Sequence, residues 1–504
     1  SSTVIITDSS NSIAQTDPQS RILITSLSGT DNETVTLDGI TLTVGEYLCK
    51  YLSASTYSLT AVSGTGASIS GTASSGSQTG GGAMTIRYIV SNGSEDGSIA
   101  FGWGSGLWGQ STWGTPRTSG VAGTQTSPRV WSVDAWGEDI VCAPAEGTDT
   151  AYYIDTSAFE DAKSTYRGTT LKKYLTDLSL DGTQVPVLCG KVMVSTPDRH
   201  LVFFGANAFG TTNFDPLLVR FSNQEDLVNW TPAIENSAGD QRLGTGTKIQ
   251  TASKGRGQLL IHTDVDVYSM QFVGPPFTFA FQQVSDTAGS ISENCVSMVE
   301  GAAYWMTQNN FYVYDGSVQS LECSVHETVF DNLTSNQIEK VTSGTNTKFN
   351  EIWWFYPSTN SSTIDKYVIY NYLDRTWSIG SSLNRTAWND YNIFQVPLAA
   401  DTDGYIYEQE SGFNNVNTAM TAFIETGFFN GDEAGNNMFF MDKIIPDTKF
   451  ESGTDIKFQL KSKRYPNGTE TTKGPFTLTS STNKLNLRAR GRSFQAKYFS
   501  DAKD

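Results

Sequence analysis

A short aromatic hairpin pattern that repeats along the chain constrains its fold more than any other feature. The clearest copy runs from Glu300 to Leu321, EGAAYWMTQNNFYVYDGSVQSL. Ala302 to Met306 is an apolar and aromatic run, Thr307 to Asn310 a polar turn, and Phe311 to Tyr314 a second run closed by Asp315-Gly316. Bulky aromatics suit a pleated, half-buried surface, while Asn, Asp and Gly supply turn conformations that other residues resist, so the pattern predicts a β-hairpin followed by a tight turn. The same sketch recurs at Leu201 (HLVFFGA), Leu259 (QLLIHTDVDVYSMQFVG), Ile352 (NEIWWFYPS, then DKYVIYNYLDRTWSIG) and Tyr405 (DGYIYEQESG). Copies lie roughly 45 to 60 residues apart, the period of four-stranded propeller blades. The expected fold class is all-β: a β-propeller with additional small β domains and little helix.

Composition agrees with this. Only 17% of the 504 residues are charged and 12% are aromatic, against about 25% charged in an average globular protein. A chain this long buries large cores and is expected to form more than one domain. It has no apolar run of about 18 residues that would span a membrane as a helix. The opening SSTVIITDSS lacks a secretory signal and enters a strand-like run at once, so residues are expected to be missing before Ser1. The net charge of −18 opposes tight non-specific binding to phosphate backbones. It serves either solubility or a surface along which DNA must slide. Cys49, Cys142, Cys189, Cys295 and Cys323 lack CxxC spacing, which fits reduced, mostly buried thiols of a protein made in cytoplasm; a Cys295–Cys323 bridge is conceivable.

Three regions are expected: residues 1–100 as a small β domain, 101–430 as propeller blades, and 431–504 as a C-terminal β segment that completes the propeller or forms a further wall domain. In the first, strand-like runs at Val4–Thr7, Ile22–Thr25, Thr34–Leu37, Tyr57–Val62 and Met84–Val90 are joined by Ser, Thr and Gly. The tract Gly64–Gly82 reads either as a linker or as small-residue strands packed on a neighbour. Trp103, Trp108 and Trp113 follow at spacings that alternate strand faces, and are expected to wedge a domain junction, with a sugar-stacking surface as the alternative. The polar interruption Asp155–Leu180 is the best place for a helix. Ser222 is placed to cap a helical turn and Trp230 to plug against the next strand. Gly274-Pro275-Pro276 breaks any ladder and belongs at an edge or blade exit. The aromatics from Trp353 to Trp388 are expected in the core between blades.

No catalytic, cofactor or metal site emerges. His200, His262 and His326 fall in different predicted blades, and each is expected to be a packed or surface residue. Zinc-protease, nucleophile-elbow and phosphate-loop motifs are absent. Asp401-Thr402-Asp403-Gly404 faintly suggests a calcium turn, without the downstream ligands of an EF-hand. Propeller sialidases carry a Ser-x-Asp-x-Gly-x-Thr-Trp turn, whereas LDRTW at Leu373–Trp377 has Arg where Gly belongs. A glycosidase would need two converging carboxylates, and no pair stands out. Arg488, Arg490 and Arg492 alternate along a strand, so all three are expected on one face as a subunit contact.

Several segments, in one order, resemble the tail nozzle (packaged-DNA stabilisation) proteins of short-tailed bacteriophages. They are WGSGLWGQSTWGTPR, WSVDAWGEDIV, FDPLLVRFSNQEDLVNWTP, TDVDVYSMQFVGPPFTFAF, YWMTQNNFYVYDG and NEIWWFYPS, followed by RTAWND, KIIPD, GPFTL and LRARGR. The resemblance covers about residues 83 to 500, and residues 1–82 look like the family's inserted β domain. The first strand departs from the family, with polar residues near Ser9–Ser12 in place of a His-Gly turn. The resemblance implies a virion structural protein and no enzyme. It would be made in the bacterial host cytoplasm and assembled as a homohexamer below a tail adaptor ring. It would meet tail fibre or adhesin proteins, close the channel until ejection and then pass double-stranded DNA. The alternative is a carbohydrate-binding propeller of adhesin type, and more distantly a glycosidase.

Overall fold

The computed structural model describes residues 4–7, 21–27, 34–37, 39–53, 55–62, 66–71, 85–89, 95–97, 127–144, 147, 150–154, 175–178, 184–196, 198–359, 361–412, 414–415, 418–419, 422–432, 435–448, 450 and 456–500. These residues are almost entirely strand. The longest helix among them is α1, His326–Phe330. The chain divides into two compact units, Ser1–Tyr407 and Glu408–Asp504.

The first unit opens with two antiparallel sheets. One orders the strands Ile5–Thr7, Thr56–Ala61, Gly45–Ser53, Arg21–Ser26 and Thr85–Ile89; the other joins Thr34–Leu37, Ile40–Thr43 and Ile69–Gly71. Ile22, Ile24, Leu42, Tyr47, Tyr57 and Leu59 form the core of this region. Ile69–Gly71 pairs with Ile40–Leu42, and the Tyr47 hydroxyl donates to the Ser68 carbonyl at 3.1 Å. That part of the small-residue tract is therefore packed strand; residues 72–82 lie outside the described set.

Six further antiparallel sheets follow in chain order. Five are four-stranded meanders, within Trp131–Asp177, Cys189–Arg242, Ile249–Ser285, Val296–Ser320 and Thr342–Ser381; the sixth has three strands within Arg385–Glu408. The fourth contains the hairpin of the sequence pattern, with strands Ala302–Met306 and Phe311–Tyr314. The turn before it is closed by Glu300 (φ 52°) and Gly301 (φ 89°) between the paired Val299 and Ala302, the two-residue turn whose twist suits flanking strands. Burial falls from the second strand outward. Leu201–Asn207 and Leu259–Thr263 are buried throughout, whereas the outermost strands Gly239–Arg242 and Thr376–Ser381 are mostly exposed.

Consecutive sheets join through their first strands. Val192 and Val194 donate backbone N–H groups to Ser132 Oγ and Asp134 Oδ2, at 3.0 and 2.7 Å. Lys191 Nζ reaches Thr251 Oγ1 at 2.9 Å, and that hydroxyl donates to the Glu293 carbonyl at 2.6 Å. Ser343 N donates to the Asn294 carbonyl at 2.8 Å, and Trp388 Nε1 to the Thr345 carbonyl at 2.6 Å. Aromatic layers fill the space between the fourth and fifth sheets: Trp305, Phe311, Trp354 and Tyr370, with Trp377 against them. Their polar ends are satisfied, since Trp305 and Trp354 donate to the Ala288 and Cys295 carbonyls, as buried indoles require. Of the aromatics from Trp353 onward, Trp353, Trp354, Phe355, Tyr356 and Tyr370 are buried core, as expected, and Tyr367, Tyr372, Trp377 and Trp388 pack against it partly buried.

Local expectations are corrected at Ser222 and Trp230. Ser222 caps no helix: its hydroxyl accepts from Leu201 N and donates to the Asn223 carbonyl, clamping a strand end. Trp230 is buried, but its ring lies 4.4 Å from Phe203 on the earlier strand Leu201–Asn207 rather than against the next strand. Gly274-Pro275-Pro276 forms the turn between Val267–Phe272 and Phe279–Ser285, at the end of the sheet where no ladder bond is lost. The expected helix at 155–180 lies outside the described residues over 155–174; Leu175–Asp177 is strand.

The second unit is built separately. Ile456–Lys463 pairs with Thr471–Leu478 on one side and Ser493–Ser500 on the other, and Phe439–Ile444 pairs with Leu485–Gly491. Phe458, Leu460, Leu478, Leu487, Ala489 and Phe494 lie between them as the core.

Candidate functional site

A cavity of about 300 Å³ opens where the first strands come together, lined by Lys191, Thr251, Glu293, Thr342, Thr386 and Trp388 among others. Its chemistry centres on Glu293. The side chain is 5% exposed, its carboxylate lies 3.4 Å from Lys191 Nζ, and neither oxygen has a hydrogen-bond partner of good geometry. Burial pushes its carboxyl above the ordinary range, against the pull of Lys191. Such a group holds unused acceptor capacity toward a small polar molecule. His262, next to the same strand through its pairing with Thr251, is fully buried with neither ring nitrogen partnered. Burial, followed by the Lys191 charge, lowers its pKa to about 3.

The second site surrounds His200. Nδ1 lies 2.7 Å from Asp198 Oδ2 and Nε2 lies 2.9 Å from Ser237 Oγ, the connectivity of a hydrolytic triad. Burial would raise the Asp198 carboxyl, but hydrogen bonds from His200 and Ser195 outweigh it and bring the pKa below its ordinary value. Three features nevertheless make the trio a structural pin. The Ser237 hydroxyl accepts from Gln224 N and is also 3.1 Å from Asn223 Oδ1. The backbone N–H groups of Ser237 and Ala238 are already given to Asn223 and Asn236 side chains, leaving no adjacent donor for an oxyanion. The imidazole is sealed by Phe221, Phe272 and Phe279. The trio holds together the loops around 223–226 and 231–237, and Thr278 Oγ1 ties the 272–278 turn to the Ser237 carbonyl.

His326 is exposed and contacts the Asn309 carbonyl at 2.7 Å, so the three histidines stay apart, two packed and one at the surface. Asp401 is held by Arg385 at 2.5 Å rather than turned toward a cation, and among the described residues no three metal-ligating side chains converge. All five cysteines are free thiols, so no Cys295–Cys323 bridge forms. Arg375, the residue in place of Gly in LDRTW, adopts a left-handed φ of 55°. Trp103, Trp108 and Trp113 lie outside the described residues.

The three arginines are not all on one face. Leu485, Leu487 and Ala489 point toward the core while Arg488 and Arg490 are exposed. The strand ends at Gly491, and Arg492 turns at the bend to bond the Gly435 carbonyl and Asn436 Oδ1. Simple alternation missed the bend.

No protein family description matches this chain, and no curated protein matches it. Among solved structures it is similar to an apocarotenoid oxygenase of Synechocystis, at 8% identity over 80% of this chain and 89% of that one, with a TM-score of 0.30. It is also similar to apo AztD from Citrobacter koseri, at 10% identity over 72% and 95%, TM-score 0.27. A third is an exo-beta-1,3-galactanase from Phanerochaete chrysosporium, at 9% identity over 76% and 96%, TM-score 0.21. Likenesses this weak say nothing of function.

Proposed function

We propose that this chain is a structural subunit of a phage tail nozzle, with its six consecutive sheets closed as a β-propeller and its copies arranged around the tail axis. One observation carries the reading. The segments that resemble nozzle proteins fall on successive sheets: WSVDAWGEDIV on the first, FDPLLVRF on the second, TDVDVYSMQF on the third, YWMTQNNFYVYDG on the fourth and NEIWWFYP on the fifth. The resemblance therefore follows the repeating wall and is not confined to one turn or one motif. The joining of neighbouring sheets through their first strands supports a radial arrangement. An acidic wall would lower friction for DNA passing along it. Immunogold labelling of particles of the encoding phage tests this: label at the tail tip is expected, and label on the capsid or nowhere on the particle contradicts it.

A second reading, carbohydrate binding, is supported by the cavity beside Glu293, where hydroxyl-bearing side chains, a lysine, a carboxylate and the Trp388 indole meet. Glycan-array binding by the full chain, lost in Glu293→Gln, would favour this reading; no binding would remove it.

A further inference from the structure

The hairpin tip that joins Val267–Phe272 to Phe279–Ser285 is apolar and open to solvent. Its run Phe272–Phe281, FVGPPFTFAF, contains no charged residue. Phe272 is 37% exposed, Val273 52% and Phe277 77%, and Pro275 and Pro276 are exposed between them. One exposed apolar side chain is ordinary, but a contiguous apolar tip calls for a medium or a partner.

The tip also keeps its backbone donors to itself. Pro275 and Pro276 have no N–H to offer. Val273 and Gly274 both donate to the Thr278 carbonyl, at 2.9 and 3.3 Å, and Phe277 donates to the Gly274 carbonyl at 3.2 Å. From Val273 to Phe277 every N–H is therefore either absent or already bonded within the turn, so moving these residues out of water strands no donor. The one polar side chain of the run, Thr278, turns back toward the protein, where its Oγ1 donates to the Ser237 carbonyl at 3.2 Å.

The tip is held out and not folded onto its own sheet. Thr278 takes a left-handed φ of 31°, which a β-branched residue adopts only where its surroundings impose it. Beneath the tip, the buried Phe279 ring packs against Phe221, His200 and Phe272, with centroids 4.9, 5.1 and 5.7 Å away. A rigid base of this kind means that little further ordering is needed when the tip engages something.

We propose that the Phe272–Phe277 tip inserts into the interfacial layer of a lipid bilayer, with Val273 and Phe277 reaching the first acyl carbons. A tip with neither charge nor a free N–H suits a medium that offers no directional partners, whereas a protein surface is read in part through hydrogen bonds that this turn does not offer. Its remaining carbonyls still need donors, which hydrated headgroups supply, so the depth is that of the interface and not of the bilayer centre. Electrostatics select the lipid. The loop tied to the tip through Ser237 exposes Glu235, and residues 1–407 carry 21 Lys and Arg against 40 Asp and Glu. Zwitterionic lipid is therefore accepted, and anionic lipid is repelled until salt screens the charge. This inference rests on neither the nozzle nor the carbohydrate reading.

Flotation of the full chain with phosphatidylcholine vesicles tests it. The native protein is expected to rise with the vesicles, and Phe277→Asp to lose at least tenfold in partitioning. Leu373→Asp, at a turn of the fifth sheet where Leu373 is 70% exposed, should partition as the native protein does. Adding phosphatidylglycerol to the vesicles should weaken binding at low salt, and raising the salt should recover it. Thermal unfolding checks that the variants fold, and Val273→Ser supplies an uncharged disruption should Phe277→Asp misfold. A native protein that stays in the soluble fraction, tip variants that float like the native chain, an equal loss in Leu373→Asp, or binding that strengthens with phosphatidylglycerol would each overturn the proposal.

Discussion

His262 is the residue whose burial has the clearest consequence. Its folded-state pKa of about 3 lies below the ordinary 6.5, so the unfolded chain takes up a proton first as pH falls. The associated stability is complete above about 6.5 and is lost as pH drops from there toward about 3, by up to about 5 kcal/mol. Since neither ring nitrogen has a partner, an apolar replacement forfeits no hydrogen bond. His262→Leu should keep stability at neutral pH and flatten the acid limb of a denaturant-midpoint profile; an unchanged limb would place the acid sensitivity elsewhere. The Ser237 trio makes a different prediction. A fluorophosphonate probe should leave Ser237 unlabelled, while Ser237→Ala should cost about 1–2 kcal/mol by freeing the loop it pins. Labelling would reinstate the hydrolytic assignment. Neither cluster was legible in the sequence, because Asp198 and His200 meet Ser237, and Lys191 meets Glu293, only after separate strands and loops are folded side by side.

At the scale of elements, the aromatic hairpins were legible nearly to the residue: Ala302–Met306 and Phe311–Tyr314 are strands with the expected ends. Period-two burial, turn residues and aromatic loading all pointed one way there. Between the fourth and fifth sheets, Trp354 is fully buried against Phe311, with the half-buried Trp377 beside it. Trp354→Ala should lower unfolding free energy by about 3–5 kcal/mol, read by chemical denaturation; a loss under about 1 kcal/mol would mean that this interface is not a packed core. Gly344 is a quieter requirement. A Cβ there would lie 2.4 Å from Trp388 Cγ, so Gly344→Ala must displace the indole that lines the cavity. Local pattern failed where a bend or bulge intervened. Arg492 leaves the strand at Gly491, and nothing in LRARGR distinguishes that bend from a continuing ladder.

For the molecule as a whole, composition concealed what its distribution shows. A net charge of −18 suggests a uniformly acidic surface, yet all of the imbalance lies before residue 408, where 21 Lys and Arg face 40 Asp and Glu. The all-β character was readable because short aromatic runs and turns repeat throughout, while the division at Tyr407–Glu408 has no flanking proline or charge run to mark it. The most direct measurement is copy number in purified particles of the encoding phage, by quantitative mass spectrometry against the major capsid protein. About six copies per particle, the expectation for one cyclic ring on the tail axis, would agree with a nozzle subunit. A far higher number, or absence from the particle, would contradict it.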